Sequence, residues 1–375
     1  MTIETMGDAP PREPVLPAIQ YLRGIAAVMV VLCHCYIYAI QTAPALDALH
    51  PLRMFGRLGV AVFFIISGFI MYFTCRHSWD GSPARARAFA ARRLHRIVPL
   101  YWLLTAAAIL LALIASLDEA ALGVSFRQVA LSLLFVPYDF DGLKFRPILE
   151  LGWTLDFEMF FYALFAVGLL LPKRLGLPLV LALLTGFVAL GQLGVMPAGA
   201  LAALAQPIVA LFGFGIVLGW ARDRFPARIP TRPGNALLAL LVLASPAVVW
   251  FVPPAESQLW TSPGMWAFAL AMVAVAAFTV PESTAAPSLG MRVGLALGDA
   301  SYFLYLSHPI VIIVLAEVAT RARMATAGQA ALVAVVMFMV SIAGALIGHL
   351  LVERPLTRWA APLFRARRSP AESAA

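Results

Sequence analysis

The chain has 375 residues, of which 62% are hydrophobic and 12% charged, and it carries a formal net charge of +8. Soluble domains hold about a quarter charged residues and keep a polar rind at any size. A water-soluble fold is therefore excluded, and lipid must solvate most of this surface.

Residues 1–18 read as a short disordered cytoplasmic tail. From Ile19 to Ile40 the chain is apolar, which suits a spanning helix of about 20 residues and exceeds a signal-peptide core of roughly 7–15. Hydrophobic runs between charged breaks predict ten spans, at 19–40, 57–75, 97–116, 152–171, 177–195, 200–220, 235–253, 263–280, 300–319 and 328–351. Residues 19–355 thus read as one all-α polytopic membrane domain of about ten helices around a central cavity, and 356–375 as a basic cytoplasmic tail. Met196-Pro197 is the only turn expected between Leu177 and Trp220. Cys33, Cys35 and Cys75 are too few and too apolar in setting to imply a disulfide framework. Cys33-His34-Cys35 cannot chelate an ion either, because consecutive helical side chains diverge by about 100°, so no metal site is expected.

The positive charge follows the loops. With the N-terminus inside, the outer side holds only Arg53, Arg57, Arg127, Lys144, Arg146, Arg321 and Arg323 of the 27 Lys and Arg residues. This asymmetry puts both termini in the cytoplasm and makes the charge a topology signal, with no nucleic-acid partner. The longest outer loop, Leu117 to Leu151, is either a resting place for an extracytoplasmic substrate or a solvated connector.

Ionisable groups at membrane depth are costly and usually face a cavity or a partner. Arg23 and His34 are eleven positions apart, hence on nearly one helix face and about 16 Å apart along it. Glu158, counted inward from the outer end of the fourth span, reaches the same depth as His34. A histidine beside a carboxylate is the pair that general-base chemistry needs. Arg93 and Arg96 share a helix face at i, i+3; they are either a phosphate grip or a positive-inside anchor.

These stretches together resemble the membrane-bound acyltransferase 3 family of O-acyltransferases. The likeness runs through Tyr21-Leu22-Arg23-Gly24 with His34, Phe63-Phe64-Ile65-Ile66-Ser67-Gly68-Phe69, and Arg93-Leu94-His95-Arg96. It continues through Trp153-Thr154-Leu155-Asp156-Phe157-Glu158 with Tyr162, Ser301-Tyr302-Phe303-Leu304-Tyr305-Leu306-Ser307-His308-Pro309, and Val352-Glu353-Arg354-Pro355. The fuller spellings are most similar to the exopolysaccharide branch, except that Asp156 stands where Asn is expected. The resemblance implies a bacterial inner-membrane enzyme that uses acyl-CoA, in particular acetyl-CoA, as co-substrate and a polysaccharide or lipid-linked saccharide as acceptor. It implies no permanently bound cofactor, and leaves room for polysaccharide-assembly proteins as partners. Arg93, Arg96 and Arg23 would then hold the CoA, and His34, supported by Glu158, would be the base. Trp153, Asp156, Tyr162, Tyr302 and His308 would support the site or line the acceptor path.

In this reading His34, with an ordinary pKa near 6.5, takes the proton of a sugar hydroxyl as the hydroxyl attacks the thioester. Asp156 would add basicity beside Glu158. His308 is expected between Arg23 and His34 in depth, lining the CoA passage or forming a Ser307-His308-Pro309 kink. Two rivals are a flippase for a lipid-linked saccharide, and a covalent route through Ser67, Cys33 or Cys35.

Overall fold

An unpaired backbone N–H or C=O in hydrocarbon costs several kcal/mol, and a helix satisfies these groups within one segment. The computed structural model describes residues 16–49, 52–116, 125–138, 147–197, 199–225, 228–251, 262–280 and 289–364, and helices make up most of them. Its helices are α1 Pro17–Thr42, α2 Leu52–Cys75, α3 Pro83–Ser116, α4 Phe126–Leu133, α5 Trp153–Leu169, α6 Lys173–Gln192 and α7 Ala200–Leu204. They continue as α8 Ala210–Arg224, α9 Thr231–Phe251, α10 Pro263–Phe278, α11 Leu289–Asp299, α12 Ser301–Arg321, α13 Ala327–Gly348 and α14 Arg354–Ala360. The strand content among the described residues is one two-residue parallel pairing of Ile229–Pro230 with Thr279–Val280.

Among the described residues eight helical segments are long and apolar enough to cross a membrane, and the protein is an all-α multi-pass membrane protein. The other two expected spans are modified. α10 has 16 residues. The span expected at 200–220 breaks into α7, a 3₁₀ turn at Pro207–Val209 and α8, because Gln206 is extended and Pro207 starts a new turn. α3 begins well before the span predicted at 97, so Arg93 and Arg96 sit on a continuous helix.

The basic tail expected from residue 356 is partly structured. α13 passes through a π-helical turn at His349–Glu353 into α14, and the His95 ring lies 2.6 Å from the Thr357 carbonyl oxygen, docking α14 on α3. Residues 365–375, residues 1–15, and positions 117–124 and 139–146 of the expected acceptor loop lie outside the described residues.

α2 is the hub, buried around most of its circumference. Its crossings are made by small residues that let backbones touch. A Cβ on Gly68 would lie 2.0 Å from the Phe212 carbonyl oxygen, and one on Gly215 would lie 2.0 Å from that of Ile65. Rings lock the same junction: Phe212 stacks on Phe64 at 4.5 Å and on Phe161 at 4.3 Å, each pair contributing about 0.5–1.5 kcal/mol beyond its buried area. Phe161 lies one turn after Glu158, so this stack also fixes where the carboxylate points.

Candidate functional site

Helices α1, α2, α3, α5 and α12 surround a cavity of about 100 Å³, lined by Arg23, Ser67, Arg93, Arg96, Glu158 and Tyr162, with Tyr302 and Tyr305 among the others. Below it a wider vestibule of about 670 Å³ is lined by Arg92, His95, Arg354 and Arg358, with Asp299, His349 and Glu353. Arg23, Arg93 and Arg96 border both spaces. A phosphate in the vestibule and a chain in the cavity would thus meet the same three guanidiniums.

Each guanidinium is held differently. Arg23 donates from Nη2 to Ser301 Oγ at 3.1 Å and from Nη1 to Gln20 Oε1 at 3.0 Å. Ser301 Oγ in turn donates to the Gly298 carbonyl oxygen at 2.7 Å. A Cβ on Gly24 would approach Gly298 N to 3.0 Å, so this contact of α1 with α11 is what brings Arg23 to Ser301. Arg93 lies 5.8 Å from the centre of the Phe89 ring, and its buried Nε has no hydrogen-bond partner. Among the described residues no carboxylate forms an ion pair with Arg93 or Arg96. One carboxylate, Glu158, faces three guanidiniums across the cavity. The chamber therefore has excess positive charge and unused donors, the properties of an anion site.

Glu158 departs from its expected place beside His34. It accepts from Ser67 Oγ at 3.0 Å and from the Tyr162 hydroxyl, which ties α2 to α5 on the arginine side. Counting residues along two helices gives depth but not the direction around each axis, and that direction separates the two side chains. Asp156 also departs: it is buried, does not line the cavity, and its Oδ1 has no hydrogen-bond partner. Positions two apart on a helix point about 200° apart, so Asp156 faces away from Glu158.

His34 finds its partner in His308. Its Nδ1 lies 2.8 Å from the Val30 carbonyl oxygen and 3.4 Å from His308 Nε2, and the ring centres are 5.1 Å apart. The contact puts His308 level with His34 and not below it. Neither ring lines the arginine cavity. Between them and it stands Tyr305, whose hydroxyl shares a 2.9 Å hydrogen bond with Thr154 Oγ1. Its ring packs edge-on to Phe63 at 5.7 Å and faces His308 at 6.4 Å.

The remaining expected residues divide. Tyr162 lines the cavity, and Tyr302 both lines it and donates to the Ile97 carbonyl oxygen at 2.9 Å, pinning α12 to α3. Trp153 packs edge-on to Phe157 at 5.8 Å, outside the cavity. Cys33 is buried with its thiol donating to the Arg53 carbonyl oxygen at 3.2 Å, and neither Cys33 nor Cys35 reaches the cavity; Ser67 does. The reading of the sequence assigned no part to Tyr305 or Gln20. The signal for Tyr305 was its i, i+3 spacing from Tyr302, which puts both rings on one face of α12. Among the described residues no group of three or more His, Cys, Asp or Glu is placed to hold a metal ion.

Residues 16–350 match a family model described as an acyltransferase domain. The chain is 32% identical over 309 residues to the exopolysaccharide production protein ExoZ of Rhizobium meliloti (strain 1021), covering 81% of this chain and 90% of the relative. It is 26% identical over 388 aligned positions to the acyltransferase MdmB of Streptomyces mycarofaciens, covering 93% of each. No solved structure matches at a significant level.

Proposed function

Because the chain belongs to the acyltransferase 3 family and is a membrane acyltransferase, we propose that it moves an acyl group from cytoplasmic acyl-CoA to a hydroxyl of a surface exopolysaccharide or its lipid-linked precursor. The single observation that carries the choice of donor is the cavity with three guanidiniums and one carboxylate, open to a basic vestibule. Coenzyme A ends in phosphates joined to a narrow, uncharged arm. Arg93 and Arg96 take phosphate oxygens through charge-assisted hydrogen bonds, with Arg92, Arg354 and Arg358 around the nucleotide. Arg23 guides the arm upward, and Glu158 keeps the guanidiniums from repelling one another.

The arm points the thioester, acetyl in the simplest case, past Tyr305 toward the histidine pair. There His34 takes the proton of the sugar hydroxyl as the new ester bond forms. The excess of Lys and Arg on one set of loops supports a bacterial inner-membrane placement with both termini in the cytoplasm, so the donor meets the vestibule from inside. The exopolysaccharide acceptor is taken from the relative ExoZ.

The test is NMR of surface-polysaccharide esters in a strain lacking this chain, alongside acetyl-CoA turnover by the purified full chain in nanodiscs. Loss of one ester resonance together with CoA release supports the assignment. An unchanged ester pattern removes the polysaccharide acceptor, and absence of CoA release removes the donor.

A further inference from the structure

We propose that His308 is a positioning residue that fixes the tautomer of His34 and accepts a hydrogen bond from it, so that a histidine does the work usually given to a carboxylate. The inference rests on the acyl-transfer reading above and assigns a new role inside it.

Hydrogen-bond directions carry the argument. A backbone carbonyl can only accept. His308 Nδ1 lies 2.9 Å from the Leu304 carbonyl oxygen, so the neutral ring is protonated on Nδ1 and His308 Nε2 is a bare acceptor. That acceptor is 3.4 Å from His34 Nδ1, which is also 2.8 Å from the Val30 carbonyl oxygen. Two acceptors converge on one nitrogen, so the His34 proton sits on Nδ1. His34 Nε2 keeps its lone pair and has no hydrogen-bond partner among the described residues. Both rings take the same tautomer for the same reason: each bonds to a carbonyl one turn back on its own helix. His308 is fully buried, so its acceptor is not satisfied by bulk water and remains aimed at His34.

The step balances as follows. The sugar O–H proton passes to His34 Nε2 while the sugar oxygen bonds to the thioester carbonyl carbon. The carbon–sulfur bond then breaks and the CoA thiolate leaves, taking the proton back from His34. During the step the imidazolium charge on His34 is shared through Nδ1–H with Val30 O and His308 Nε2. A neutral partner suits this depth, where a second carboxylate would have to be desolvated.

The experiment uses the full chain in nanodiscs with acetyl-CoA as donor and methyl β-D-glucopyranoside as sugar probe, comparing wild type, His308→Leu and His308→Gln. The leucine variant should lose on the order of 100-fold in kcat with the acetyl-CoA KM within about twofold. The glutamine variant, whose amide oxygen replaces the acceptor, should recover most of that loss. Nitrogen-15 solid-state NMR of histidine-labelled protein, assigned with His34→Gln, should find His34 protonated on Nδ1 in wild type and in His308→Gln. A His308→Leu protein with full kcat, or a wild-type His34 protonated on Nε2, would overturn the positioning role. If wild type releases no CoA, the acyl-transfer reading fails, while the NMR result still decides the tautomer.

Discussion

The Ser67 hydroxyl donates a 3.0 Å hydrogen bond to Glu158 Oε1, joining α2 to α5 at the level where three guanidiniums face the same cavity. In the proposed mechanism Glu158 thereby balances the charge of the arginines and takes no part in the reacting pair. Glu158→Gln should lower the acyl-CoA KM severalfold, because the cavity grows more positive, and should leave kcat within about tenfold. A hundredfold loss of kcat at constant KM would return Glu158 to the chemistry.

Arg93 has a buried Nε without a partner, so a ligand phosphate would supply what the fold does not. Arg93→Ala should raise the acyl-CoA KM about 10- to 100-fold, the range expected for one hydrogen bond to a charged group, with kcat little changed. Arg93→Lys should recover only part of the affinity, since an ammonium cannot bond bidentately. Steady-state kinetics against acetyl-CoA concentration decide both points.

In the proposed mechanism the lone pair of His34 Nε2 takes the proton of the attacking alcohol. His34→Ala should lower kcat by about 10²- to 10⁴-fold while acetyl-CoA still binds with its normal affinity. Calorimetric binding beside turnover separates those two quantities, and an active variant would remove His34 from the mechanism.

Gly68 touches the carbonyl of Phe212, with no room for a methyl group. Gly68→Ala should force α2 from α8 at upwards of about 3 kcal/mol, because the obstacle is backbone and cannot rotate away. The measurement is the yield and melting temperature of monodisperse protein in detergent; a normal melt would show that the crossing can relax.

Asp156 is buried without a partner for Oδ1 and away from the cavity. Asp156→Asn should keep acylation within about twofold, because the residue does not touch the donor site and the uncharged amide is cheaper to bury. A large loss of kcat would give the carboxyl a role on the acceptor side.

The sequence was most informative where a single helix carried the whole signal. Apolar length located the spans, and the i, i+3 spacing of Arg93 and Arg96 anticipated that both would face one space. It was least informative between helices. Glu158 and His34 share a depth but not a direction, and His34 meets His308 through the packing of α1 against α12, which no local spacing records. The break at Gln206–Pro207 was hidden for another reason: an interrupted span has the same average hydropathy as a continuous one.

Tyr305 has a further consequence. With its hydroxyl tethered to Thr154 and its ring packed against Phe63 and His308, it stands at the end of the cavity nearest the histidine pair. In the proposed mechanism a thioester held in the cavity would lie beneath that ring, shielded from stray hydrolysis. On that reading the enzyme would stay idle until a saccharide arrived, without draining the cell's acetyl pool.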